Sequence, residues 1–128
     1  QGVADFVVRS DIDQLNTFNS EGLSFNEKVT LFIDYIASQE DSYMRQYYIL
    51  LDFTRLHPTP DELDKMNYAS QQYANAIAYF LGITYDEAMT IYLLLAGVML
   101  QRMLDGKQTD LKNRMNWLFD ILRQKYSQ

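Results

Sequence analysis

Three capping-box patterns divide this chain into helices and constrain its fold more than any other feature. In each pattern a serine or threonine stands three residues before a glutamate, at Ser24–Glu27, Thr59–Glu62 and Thr84–Glu87. The hydroxyl can accept a hydrogen bond from the N3 amide, while the glutamate accepts one from the N-cap amide. Pro60 adds a residue that suits the first helical position of the second pattern. We therefore expect helices to begin at residues 25, 60 and 85.

Helix ends are marked as clearly as helix starts. Gly82 and Gly106 stand where a left-handed residue closes a helix, and Pro58 ends the helix that runs to Leu56. Apolar residues between these marks recur with helical spacing, and no segment shows convincing strand alternation. The sequence predicts one all-α domain over residues 1–128, with Gln1-Gly2 interpreted as the scar of a tag. It is a compact bundle of five to six helices, at residues 3–16 (short), 25–38, 41–56, 60–81, 85–105 and 110–126.

Two segments are apolar on nearly all sides, Tyr43–Leu56 and Ala88–Leu104. Helices of this kind are usually buried, so we expect both near the middle of the bundle. Gly97 interrupts the second segment at a cost of about 1 kcal/mol relative to alanine, and close approach of another helix would explain it. The longest apolar run, Ile91–Leu100, is ten residues long. A transmembrane helix needs about 20, so no membrane span is expected.

Composition narrows the functional classes. The chain has no cysteine, which excludes disulfides, thiol catalysis and zinc–thiolate sites and fits a reducing compartment such as the cytoplasm. The net charge is −6, with twelve acids and four bases in residues 1–64 but five acids and seven bases in residues 65–128. The first half would repel a polyanion, so nucleic acid is not an expected partner.

No catalytic, cofactor or metal site is predicted. The one histidine, His57, precedes Pro58 and is interpreted as part of a helix-ending turn. Carboxylates cluster at or near helix starts, where they stabilise the helix dipole. Metal-ligand spacing and a glycine-rich phosphate loop are both missing from the sequence. An enzyme whose carboxylates are brought together by the fold stays open as an alternative.

One segment resembles the helix-turn-helix pattern of bacterial regulators. It has a small residue, a glycine four positions later, and small or apolar anchors in the following helix, at Ala78, Gly82, Ile83, Ala88 and Ile91. The resemblance covers residues 78–91 and implies DNA contacts by Tyr85, Thr90 and Arg102. Asp86 and Glu87 would then face the phosphates, which argues against base recognition. A DNA-binding regulator is kept as the first alternative because of the resemblance alone.

Ten tyrosines are the compositional peculiarity. Tyrosine combines a large apolar area with a polar tip and is enriched in protein interfaces. We expect a partner-binding surface among Tyr43, Tyr47, Tyr48, Tyr68, Tyr79 and Tyr85. The sequence therefore predicts a non-enzymatic helical protein-binding or regulatory accessory module. Its partner would be another protein, a second copy of the chain, or a basic surface that the acidic chain occludes.

Overall fold

The computed structural model describes residues 22–126, which form five α-helices and, within that range, no strand. The helices are α1 (Phe25–Ser38), α2 (Glu40–Arg55), α3 (Pro60–Leu81), α4 (Tyr85–Leu104) and α5 (Leu111–Tyr126). The all-α prediction is confirmed, and each predicted boundary lies within one residue of the observed one. The predicted helix at residues 3–16 lies outside the described residues.

All three capping boxes are formed. Ser24, Thr59 and Thr84 each accept a hydrogen bond from the N3 amide at 3.2 Å, and each N3 glutamate accepts one from the N-cap amide. Gly82 and Gly106 close α3 and α4 with φ of 69° and 64°. A side chain at either position would be strained by that left-handed backbone. The predicted starts and stops of these helices are thus confirmed with their predicted chemistry.

His57 also takes a left-handed conformation, with φ of 55°, directly after α2. Most helices that end in this way use glycine or asparagine, because a Cβ crowds the backbone there. The histidine is exposed. Its position confirms the prediction of a helix-ending turn.

Helix α4 is the middle of the bundle, since α2, α3 and α5 all pack against it, while α1 packs against α3 and α5. The core between them is almost entirely aliphatic and aromatic. Its centre includes Phe32 of α1 and Phe119 of α5, whose rings meet edge to face at 5.9 Å. Phe25 and Tyr126 stack at 5.2 Å, so α1 and α5 run antiparallel.

The expected burial of the two all-round apolar segments is wrong in large part. In Tyr43–Leu56 only Met44 is buried, because α2 lies at the edge of the bundle and has few neighbours. Helix α4 buries only Ala88, Ile91, Leu95 and Met99 although it is central. The explanation proposed for Gly97 is also wrong, since a Cβ built there meets nothing within 4 Å. A small bundle covers one side of its central helix and leaves the other side open.

One partly buried ion pair fastens α2 to α4. Arg102 donates a hydrogen bond from Nη2 to Glu40 Oε1 at 2.9 Å, and both side chains are only 12 % exposed. Arg102 Nε and Glu40 Oε2 form an ion pair at 2.5 Å, but the N–H of Nε does not point at the oxygen closely enough for a hydrogen bond. Arg102 Nη1 also donates to the Thr109 carbonyl. The guanidinium therefore joins α2, the end of α4 and the loop before α5.

Candidate protein-binding surfaces

The structure separates the six candidate tyrosines into two groups. Tyr43 and Tyr47 are partly buried and pack against the core. Tyr43 meets Tyr73 edge to face at 6.5 Å, and Tyr73 stacks on Tyr92 at 5.6 Å. Burial is the main cause that raises the pKa of Tyr47 above its usual range, and the neighbouring Tyr92 raises it further. These two tyrosines belong to an internal aromatic cluster between α2, α3 and α4.

The other four candidates, Tyr48, Tyr68, Tyr79 and Tyr85, are exposed. Tyr79 is the most exposed of the large hydrophobic residues described, at 81 %. The tyrosine signal in the sequence therefore mixed core-edge residues with surface residues. Tyrosine occupies both settings because its ring can be buried while its hydroxyl stays in water.

Tyr68 and Tyr79 share one face of α3, which we call the α3 outer face. They are eleven residues apart, or about three helical turns, so they lie along the same line of the helix. Gln71 and Asn75 stand between them on that line, and all four side chains are exposed. The α3 outer face thus presents two aromatic rings and two amides without a charge between them.

The end of α2 and the start of α3 form a largely exposed segment, residues 45–72, which we call the arm. No residue from Arg45 to Gln72 is buried. Large apolar side chains along the arm are exposed, namely Tyr48, Ile49, Leu51, Leu56, Leu63 and Tyr68. Isolated exposed leucines are ordinary on a protein surface. Six large exposed apolar side chains on one segment, in which Tyr47 is only partly buried, are not explained by packing within residues 22–126.

Sequence analysis missed a third surface, on α4. Leu93, Leu94, Leu100 and Leu104 are all exposed. Together with Gly97 they form the α4 open face, which is uncharged over three turns. The run Ile91–Leu100 was the available signal, but its length favoured a buried helix. Within residues 22–126, α4 is also the one helix long and apolar enough to cross a membrane, judged by length and composition alone.

Trp117 and Ile121 are two further exposed apolar side chains, on α5. The chain's only tryptophan is 70 % exposed, and Ile121 is similarly exposed one turn later. Lys125 lies one turn further along the same line and donates a hydrogen bond to Glu87 of α4 at 2.9 Å. That contact places the end of α5 beside the start of α4. Tryptophan is the residue type most typical of interface hot spots, so its position here is informative.

At the corner that resembles a helix-turn-helix, α3 ends at Leu81 and α4 begins at Tyr85. Ala88 and Ile91 are buried, and both Gly82 and Ile83 donate backbone hydrogen bonds to the Ala78 carbonyl. The three predicted DNA contacts do not share a surface, however. Tyr85 and Thr90 are exposed at the start of α4, whereas Arg102 is committed to Glu40 at the far end. The corner is accounted for by the packing of α3 on α4.

Several carboxylates of the described residues cap helices or form ion pairs between elements. No group of three or more histidine, aspartate or glutamate residues within the described range is placed to hold a metal ion. Hydrogen bonds from the Thr109 hydroxyl and the Gln108 amide, among others, lower the pKa of Asp105. Glu87 accepts hydrogen bonds from Tyr126, Lys125 and Thr84. The hydrogen bond from Tyr126 is the largest of the causes that lower the pKa of Glu87 to about 2.

We expect Tyr126→Phe to lower the melting temperature of the protein at neutral pH but not at pH 2. The folded-state pKa of Glu87 is depressed, so its contribution to stability is present above pH 4.5 and is lost as pH falls toward 2. Removing the Tyr126 hydroxyl raises that pKa while the ring can still stack on Phe25. Melting temperatures of both proteins at pH 7, 4.5, 3 and 2 test this expectation.

Tyr79→Phe is the matched control, because it removes the hydroxyl of an exposed tyrosine with no hydrogen bond to Glu87. It should leave the melting temperature unchanged at every pH. If Tyr126→Phe lowered the melting temperature equally at pH 7 and pH 2, the role assigned to Glu87 would be wrong.

Comparison with family models, with curated proteins and with solved structures gave no match for this chain. The surfaces described above are therefore the basis for a functional proposal.

Proposed function

We propose that this chain is a non-catalytic helical module that binds another protein through the α3 outer face. The observation that supports this most is the exposure of Tyr68 and Tyr79 along a single line of one helix. Their rings would leave water on binding, and apolar burial is the main favourable term in protein association. Tyrosines in this setting are typical energetic anchors of an interface.

The polar groups of the α3 outer face suit a protein partner. Gln71 and Asn75 offer hydrogen-bond donors and acceptors between the two rings. Burying them costs less than burying charged residues, which are depleted at the centres of interfaces. The four side chains span about 16 Å of helix, a length that fits a groove or the side of another helix.

Acidic residues at the start of α3 indicate the charge of the partner. Asp61 and Asp64 are exposed and lie roughly in line with Tyr68, one to two turns before it. Such charges at the rim of an interface steer a partner of opposite sign and speed association. We therefore propose a partner whose binding site has a basic rim. When bound, the chain would cover that basic surface and block its other contacts, an action that the chain's net negative charge favours.

The DNA-binding alternative receives no support from this arrangement. Of its three residues, Arg102 is the only cation, and it is held by Glu40 with little exposure. The exposed start of α4 carries Asp86, which would repel phosphate. We keep protein binding as the proposal for this reason.

Loss of both α3 tyrosines should weaken partner binding strongly without unfolding the chain. For Tyr68→Ser/Tyr79→Ser we expect roughly a 100-fold weaker complex, since interface tyrosines often contribute about 2 kcal/mol or more. Both side chains are exposed, so the melting temperature should change little. The measurement is the affinity for a partner recovered with the wild-type chain, by titration of the purified proteins.

Tyr48→Ser is the matched control, because it removes an exposed tyrosine from α2 instead of α3. It should leave the affinity unchanged. The proposal fails if the double variant binds as tightly as the wild type, or if Tyr48→Ser weakens binding by the same factor.

A further inference from the structure

We propose that the α4 open face, together with Trp117 and Ile121, is the contact surface of a homodimer. This inference extends the proposed function to a second surface and a named occupant, and it does not depend on the α3 outer face. The two surfaces lie on different helices, so each can be tested while the other is intact. Area, helix register and the position of Gly97 all support a second copy of the chain.

The combined surface is large enough for a stable dimer. Six large apolar side chains are each about half to three-quarters exposed, namely Leu93, Leu94, Leu100, Leu104, Trp117 and Ile121. Together they leave roughly 700 Å² per copy in contact with water, above the largest apolar patch of a typical monomer. Two copies would bury about 1,400 Å², within the range of specific protein interfaces.

The register of α4 and α5 makes these side chains one surface. Glu87 and Lys125 are paired at 2.9 Å, and the helices are antiparallel. Leu94 lies two turns after Glu87, on the side of α4 that faces α5. Because α5 runs in the opposite direction, the matching positions are those before Lys125, namely Ile121 one turn before it and Trp117 two turns before it. The antiparallel register therefore places Trp117 and Ile121 of α5 level with the first half of the α4 open face.

An antiparallel pairing of two α4 helices about Gly97 is self-complementary, as a two-fold interface requires. Leu94 lies three residues before Gly97 and Leu100 three residues after it, so each comes level with the other in the second copy. The same pairing brings Asp86 level with the loop that carries Lys107, which is 51 % exposed. Lys107 already pairs with Asp41 of α2 at 3.1 Å, so Asp86 would add a further acid beside it.

Gly97 is unexplained in the monomer and explained in this dimer. It lies inside a helix, where glycine is unfavourable, and a Cβ built there meets nothing within 4 Å. At the centre of a helix–helix contact, the missing side chain lets two backbones approach closely. The other leucines can then pack around that point of closest approach.

Sedimentation velocity across a range of concentrations, with Trp117 fluorescence recorded on the same samples, tests the dimer. We expect a monomer–dimer equilibrium, with Trp117 emission moving to shorter wavelength as the dimer forms. Gly97→Ala should weaken the dimer about tenfold while raising the melting temperature of the monomer by about 3–6 °C, because alanine favours the helix and has space. A merely structural glycine would not give these opposite effects.

Leu100→Glu should weaken the dimer at least 100-fold, because a charge would be buried in each half of the interface. Leu56→Glu places the same charge on a leucine of the arm that is 75 % exposed, against 45 % for Leu100, and should leave the dimer intact. A wild-type chain that stays monomeric at every concentration overturns the proposal. So does a monomer that binds vesicles of phosphatidylcholine and phosphatidylglycerol through Trp117, since a membrane would then cover this face. Either result leaves partner binding through Tyr68 and Tyr79 unaffected.

Discussion

Phe119→Ala is expected to lower the free energy of unfolding by about 3–5 kcal/mol, the largest effect of any single substitution considered. Phe119 is fully buried and meets Phe32 edge to face at 5.9 Å, so its ring joins α5 to α1 at the centre of the core. Truncation removes apolar burial and leaves a cavity that the surrounding helices can fill only in part. Urea denaturation followed by circular dichroism measures the change.

Trp117→Ala is the matched control, two residues earlier on the same helix. It removes a larger side chain, but one that lies mostly in water. We expect it to cost less than about 1 kcal/mol in a sample dilute enough to be monomeric. Equal losses from the two substitutions would show that the described burial of α5 is wrong.

Arg102→Ala is expected to cost about 3 kcal/mol, because it leaves the nearly buried Glu40 carboxylate with only the half-exposed Lys107, at 3.7 Å, as a partner. It also removes the hydrogen bond that Arg102 donates to the Thr109 carbonyl at the start of α5. Three segments of the chain meet at this guanidinium, so its loss should loosen α2 from α4. Denaturation at pH 7 measures the loss, and amide exchange should rise first in α2.

The double variant Arg102→Met/Glu40→Leu separates two contributions to the free energy of unfolding. One is the cost of leaving the Glu40 carboxylate without Arg102, and the other is the stability that the ion pair itself provides. Replacing both partners with apolar residues of similar size should recover most of the stability lost by Arg102→Ala. Lys107→Ala, which removes a half-exposed base that also contacts Glu40, should cost less than about 1 kcal/mol. If the double variant were as unstable as Arg102→Ala, the charge would not be the reason for the loss.

The helices could be predicted because their signals are local. The threonine and glutamate of the third capping box lie within one turn, and Gly82 needs only its own backbone conformation to end α3. Each such signal is complete in a few adjacent residues, so the sequence contains the whole interaction. The same is true of the turn at His57.

The surfaces could be predicted only in part, because burial depends on which helices are neighbours. Helical spacing places Tyr68 and Tyr79 on the side of α3 opposite its apolar line, so their exposure follows from the sequence. Leu93 and Leu100 were assigned to the interior, since an apolar helix in a larger protein would be covered on all sides. Five helices are too few to enclose α4, and the sequence does not state how many neighbours a helix will have.

The measurement that tests the central claim most directly is site-specific photo-cross-linking in cells that produce the chain. A photoreactive phenylalanine analogue would replace Tyr79 on the α3 outer face and, as a control, Arg45, which is exposed on α2. Protein binding through α3 predicts one discrete cross-linked product from position 79 that is missing from position 45. The same products from both positions, or none from position 79, would contradict it.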